Sequence, residues 1–190
     1  MDFGKKEKIK PSELRVEKIA QAHQKAINDF ESYEPELKEF LVEDALNQQD
    51  RKISVTYLWF LRETNDFVGY ITFSPDCVKL KSIDPMLSAK FRDKGINYKS
   101  LPALKIGRLC VDNRFLRRSV GTLFIQFAIQ VAKEISSKVG CRFIYLDAKR
   151  NDDSSKDAIH FYKNIGFQIY KERNKKETPM YLDIHPFIKD

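Results

Sequence analysis

Three arginines, a serine and a glycine lie together in "RFLRRSVGTLF" at residues 114–124. A basic, loop-like stretch leads there into an apolar run, so the segment reads as the entry to a helix. The first turn of a helix has backbone N–H groups with no internal acceptor. The positive end of the macrodipole favours an anion beside them. Gly121 permits the close approach of a phosphate. Ser119 is small and can donate a hydrogen bond, and Arg114, Arg117 and Arg118 supply neutralising charge. The same residues also describe an arginine-bearing loop with Ser119 as a plain N-cap. Local chemistry leaves both readings open.

Other chemistry-bearing residues are sparse. His23, His160 and His185 are scattered. Cys77, Cys110 and Cys141 are odd in number and far apart, and no Cys/His spacing suits zinc. No metal is expected. The apolar, strand-like surroundings of the cysteines read as buried free thiols in a reducing cytoplasm. The net charge of +7 is spread over the chain and attracts polyanions. No helix has the basic face of a DNA-reading element. The run KERNKK at 171–176 is either a solvated turn or a contact for a phosphate backbone.

These residues need elements to position them. The 190 residues fit one domain, 1–190, large enough for a core without staples. No run of 18 apolar residues is present and the start lacks an apolar leader, so a cytoplasmic protein without a membrane span is expected. LRVEKI at 14–19 reads as a first strand. Leu37, Phe40, Leu41 and Ala45 share a helical face within 35–49. SVTYLWFL (54–61) and FVGYITF (67–73) read as a hairpin turned at Asn65–Asp66. Residues 77–102 read as an irregular excursion with room for a short helix. A strand at 104–112 is expected to be disturbed near Gly107, where a glycine marks a bulge or a close backbone approach. A long helix comes next, with Val120, Leu123, Phe124, Phe127, Ala128, Val131 and Ile135 at steps of three and four. CRFIYLD (141–147) reads as a buried strand. Ser154 with Asp157 resembles a capping pair opening a second helix that buries Ala158, Phe161, Tyr162 and Ile165 and stops at Gly166. FQIY and PMYLDI close the chain as strands. The order implies a right-handed crossover between parallel strands 104–112 and 141–147.

With the elements in that order, residues 104–167 resemble the Gcn5-related N-acetyltransferases (GNAT). Their cofactor loop reads Arg/Gln-x-x-Gly-x-Gly/Ala. Gly121 falls on its last position, Ser119 on the first glycine and Leu116 on the Arg/Gln. "LPALKIGRLCVDNRFLRRSVG", "AIHFYKNIGF" and "ELKEFLVEDALNQQDRKISVTYLWF" are similar to segments of the branch that includes bacterial toxin acetyltransferases. The resemblance spans most of residues 14–184. It implies an α/β (α+β) GNAT fold, with a mixed, splayed central sheet and helices on both faces.

It also implies an enzyme that transfers acetyl from acetyl-CoA directly to an acceptor amine. Backbone amides of Arg117, Arg118, Ser119, Val120, Gly121 and Thr122 would hold the pyrophosphate. The strand edge at Leu109, Cys110 and Val111 would pair with the pantetheine arm, and an N–H near Val111 would face the developing oxyanion. Tyr162 matches the family's general acid, since a phenol stays protonated at neutral pH and can donate to a thiolate; its place on an apolar helix face equally describes a core tyrosine. The match brings no carboxylate or histidine base with it; Asp112, Asp147 and His160 lie near the matched motifs, and each reads as readily structural as catalytic. Three acceptors stay open: the α-amine of aminoacyl-tRNA, a small-molecule amine, and a protein amine. A silent module that binds CoA or a partner protein is the remaining reading. The toxin branch would add an antitoxin partner, and monomer and homodimer both stay open.

Overall fold

The computed structural model describes residues 7–150, 158–170 and 177–188. The expected capping pair Ser154/Asp157 and the run 171–176 lie outside them. Seven strands are present among the described residues. They are β1 (Leu14–Lys18), β2 (Val55–Leu61), β3 (Phe67–Lys79), β4 (Ser100–Val111), β5 (Phe143–Lys149), β6 (Gln168–Ile169) and β7 (Glu177–Asp183). They form one mixed sheet in the order β1-β2-β3-β4-β5-β7-β6. The helices are α1 (Gln24–Asn28), α2 (Pro35–Glu39), α3 (Ala45–Asp50), α4 (Pro85–Asp93), α5 (Val120–Ser136), α6 (Ala158–Ile165) and α7 (His185–Ile188).

The chain divides into two compact units. One holds the residues up to Ser74 together with Gly107–Phe127, and the other holds Pro75–Ile106 and the chain from Ala128 onward. In the first unit, alternation along β2 separates two apolar faces. Leu58 and Phe60 join Phe30, Phe40, Leu41, Phe67, Tyr70 and Cys110 in a core under α1–α3. Tyr57 and Trp59 point the other way, where Phe124 and Phe127 of α5 pack edge-on or tilted at centroid distances of 5.0–5.4 Å. The helix expected over 35–49 is interrupted between α2 and α3 by a π turn at Phe40–Asp44. The Tyr70 hydroxyl donates to the Leu37 carbonyl at 2.6 Å just before that turn.

In the second unit, Val78, Leu80, Ile83, Phe91, Ala103, Phe143 and Tyr181 form a separate core. Its α4 is the short helix that the excursion left room for. Pro85 opens it and the Asp84 carboxylate caps the Leu87 amide at 2.9 Å. The strands on either side run longer than expected, β3 to Lys79 and β4 from Ser100. β4 and β5 are parallel, with Ala103 opposite Phe143 and Ile106 opposite Leu146.

Two expectations are corrected. Cys77 is exposed, whereas Cys110 and Cys141 are buried free thiols. The close backbone approach lies at Gly69 and not at Gly107. A Cβ on Gly107 would meet only the Thr72 carbonyl at 3.9 Å, whereas one on Gly69 would stand 2.3 Å from the Cys110 carbonyl oxygen. The β2–β3 register also shifts there, with Trp59 opposite Gly69 but Phe60 opposite Phe67.

Candidate functional site

The site begins at the end of β4. The Asp112 amide donates to Val68 of β3 at 2.8 Å. Successive main-chain groups of a strand point to opposite sides, so the N–H and C=O of Val111, and those of Leu109, face away from β3. On that side the ladder to β5 has partners only for Ala103–Ile106. Leu109 and Val111 therefore present an unladdered strand edge. Cys110 between them turns its thiol into the α1–α3 core, 3.3 Å from the Ser32 hydroxyl. Burial pushes that thiol up to about 11, so it stays protonated at neutral pH.

Asp112 holds the start of the loop after β4 in place. Its side chain is fully buried. One carboxylate oxygen accepts from the Arg114 amide (2.9 Å) and guanidinium (2.8 Å). The other accepts from the Glu31 amide and the same guanidinium, both at 3.0 Å. Burial opposes the charge, but the hydrogen bonds from Arg114 and Glu31 outweigh it and hold the carboxyl below the usual carboxylate range. Asp112 is thus a latch between the segment at Glu31 and this loop, and Arg114 is its partner rather than a free phosphate ligand. The Asp-x-Arg spacing is the sequence signal for such a turn, since an aspartate readily bonds the amide two residues on.

Beyond the latch, Arg117 and Ser119 both adopt left-handed backbone, with φ of 63° and 66°. This conformation suits glycine and costs other residues about 1–2 kcal/mol. Ser119 stands at the position that the sequence resemblance gives to a glycine, and a glycine would take this conformation without that cost. Ser119 takes the N-cap position, its carbonyl accepting the Leu123 amide at 3.3 Å, but its backbone is left-handed rather than extended and its hydroxyl caps no amide among the described residues. The amides of Arg117, Arg118, Ser119, Val120, Gly121 and Thr122 likewise donate to no acceptor among the described residues. Left-handed residues alternating with others make backbone N–H groups converge into an anion-accepting concavity. The Arg117 side chain is exposed and without a partner among the described residues. The Arg118 side chain is not free. Its Nε donates to the Glu7 carbonyl at 2.9 Å, and its guanidinium lies 5.8 Å from the Phe115 ring centroid.

In the second unit Tyr162 is 8% exposed on α6, edge-on to Phe161 and Phe167. Asp147 accepts from the Tyr145 hydroxyl at 2.8 Å and pairs with Lys105 at 3.1 Å. His160 is exposed on the same helix as Tyr162. Sequence reasoning missed the Asp112 latch, the close approach at Gly69 and the contact of residues 7–9 with Arg118. Only the first left a local signal. No group of three His, Cys, Asp or Glu suited to a metal occurs among the described residues, and none of their helices is long and apolar enough to cross a membrane.

An unladdered strand edge leads here into a helix entrance whose amides have no acceptor among the described residues. The family model described as Acetyltransferase (GNAT) family matches residues 20–167, and the chain belongs to that family. It is accordingly an acetyl-CoA-dependent N-acetyltransferase with the GNAT fold. No curated protein sequence matches it. Among solved structures it is similar to a point mutant of KacT, at 24% identity, covering 92% of this chain and 96% of that one with a TM-score of 0.75. AtaT complexed with acetyl-methionyl-tRNAfMet is similar at 21% identity, with the same coverages and TM-score. AtaTR bound with AcCoA is similar at 22% identity, 94% and 99% coverage and a TM-score of 0.72. At these identities the likeness shows the fold.

Proposed function

We propose that the chain acetylates the α-amine of an aminoacyl-tRNA. Acetyl-CoA lies with its pyrophosphate on the amides of Arg117–Thr122 and its pantetheine along Leu109–Val111. The amine attacks the thioester carbonyl and the Val111 N–H stabilises the oxyanion. As the intermediate collapses, the CoA thiolate leaves with a proton from Tyr162. The proton released by the amine goes to solvent, from which Tyr162 is reprotonated. The observation behind this reading is the run of six open amides at the α5 entrance. Every group assigned to cofactor binding lies within the first unit.

Two arguments select the acceptor. The sequence match assigns no general base, and a transferase of that kind suits an amine that is already neutral. An α-amine, with pKa about 7.7–8.0, is neutral in an appreciable fraction at pH 7, whereas a lysine at about 10.4 is not. Asp112 and Asp147 are both committed to other partners. The second argument is charge. Residues 79–99 expose Lys79, Lys81, Lys90, Arg92, Lys94 and Lys99 against two acids, one of which caps α4. None of the six forms an ion pair among the described residues. The Leu80 amide donates to the Lys99 carbonyl at 3.0 Å and draws both ends of this segment together. Unpaired cations of this density suit a phosphate backbone. The solved likeness to AtaT with acetyl-methionyl-tRNAfMet supports the same choice.

The test supplies acetyl-CoA with charged tRNA, polyamines and lysine peptides in parallel, using wild type and Gly121→Glu. Acetylated aminoacyl-tRNA is expected from wild type, with a steep loss on raising salt, and none from Gly121→Glu, which places bulk and negative charge on the phosphate site. Transfer confined to polyamines or lysine side chains would overturn the tRNA acceptor.

A further inference from the structure

We propose that residues 7–9 are a strap that positions the cofactor loop, with Ile9 as its anchoring residue. The proposal rests on the reading that this loop binds acetyl-CoA. Ile9 is 3% exposed although it lies near the start of the described chain, before β1. Its amide donates to the Arg118 carbonyl at 3.1 Å, and the Arg118 Nε returns a bond to the Glu7 carbonyl at 2.9 Å. Strap and loop are thus joined in both directions.

The consequence is set by the peptide plane. The 118–119 peptide is trans, and in a trans peptide the C=O and the following N–H point in opposite directions. Anchoring the Arg118 carbonyl on Ile9 therefore aims the Ser119 N–H away from the strap. Ser119 is left-handed at φ 66°. Flipping the 118–119 peptide would carry that angle to about −114°, a region open to any residue. The flip relieves the strain but turns the Ser119 N–H around and replaces it with a carbonyl oxygen, which repels phosphate. The two bonds from the strap oppose that flip. A glycine at 119 would have no strain to relieve, and so would need no strap.

The test is kinetic. Ile9→Ala should raise the KM for acetyl-CoA about five- to ten-fold, the effect of one misdirected hydrogen bond, with kcat within two-fold. Ile9→Val should behave as wild type. Adding Ser119→Gly to Ile9→Ala should restore the KM, measured well below the unfolding transition of both variants, where a change in global stability does not move it. Should Ile9→Ala reduce the yield of folded protein, removal of residues 1–8 takes away the Glu7 acceptor while leaving Ile9, and the same KM-against-kcat split is expected. An unchanged KM in Ile9→Ala, or a raised KM that Ser119→Gly does not restore, overturns the strap. Calorimetry on Gly121→Glu separates the two readings: unchanged acetyl-CoA affinity there removes the loop as the cofactor site and the strap with it.

Discussion

Gly69→Ala perturbs the candidate site through the main chain alone. The added methyl would lie 2.3 Å from the Cys110 carbonyl oxygen, 3.0 Å from the Val111 Cα and 3.1 Å from the Phe124 ring. Close carbon–oxygen contacts in proteins stand at about 3.3–3.6 Å, so the Cys110–Val111 peptide must retreat by about 1 Å. Two of the three obstacles are backbone, and no rotamer change relieves them. The φ of 153° adds strain for any residue with a Cβ. Overpacking and strain together come to about 2–4 kcal/mol. For a chain of this length that lowers Tm by about 4–16 °C. The displaced peptide carries the proposed oxyanion donor, and a misplacement of about 1 Å can cost about 10²-fold in rate. The assay is thermal unfolding followed by circular dichroism, with kcat/KM measured well below the transition. Gly107→Ala is the control, because its methyl meets nothing closer than 3.9 Å. Equal losses of Tm from the two substitutions would refute the argument.

Tyr162→Phe keeps the ring and removes only the hydroxyl. It should lower kcat by about 10²–10⁴-fold while calorimetry finds acetyl-CoA affinity within a few-fold of wild type; a wild-type kcat returns Tyr162 to the core. Asp112 has a folded-state pKa held below its unfolded value. Its contribution to stability is therefore complete above the unfolded pKa of about 3.9 and is lost as pH falls through the folded value. Asp112→Asn should cost about 2–4 kcal/mol at pH 7, since bonds to a charged group are lost at a buried site. In urea titrations the gap between variant and wild type should narrow below about pH 4, and a gap independent of pH would dismiss the latch.

Much of the fold was legible because periodicity is local. The apolar steps of Val120 to Ile135 and the β-branched, aromatic run at 54–61 appear as α5 and β2 within a residue or two. The longer ends of β3 and β4 were not legible, because Pro75 and Pro102 sit inside β3 and β4, and proline is ordinarily confined to edges, strand starts and bulges. Gly107 drew attention because it interrupts an apolar strand. Gly69 is held by a carbonyl 41 residues away, and nothing near it in sequence announces that. The sequence left Asp112 open between a structural and a functional role, and its four hydrogen bonds account for it as structural. The contact between Ile9 and Arg118 joins segments with no shared pattern, so only tertiary structure reveals it.

The make-up of the first unit bears on how the chain is born. Its residues up to Ser74 are completed by Gly107–Phe127. During synthesis at about 5–20 residues per second, the interval between Ser74 and Phe127 lasts about 3–10 s. Over that interval Tyr57, Trp59 and Phe73 lack the helix that covers them, and β3 lacks β4. Apolar strands with an open edge are templates for association between nascent chains. Elongation that brings out the sequence through Phe127 quickly shortens this exposure, and slow elongation prolongs it. Synonymous codon changes between residues 75 and 127 should alter the soluble yield more than equal changes after residue 140.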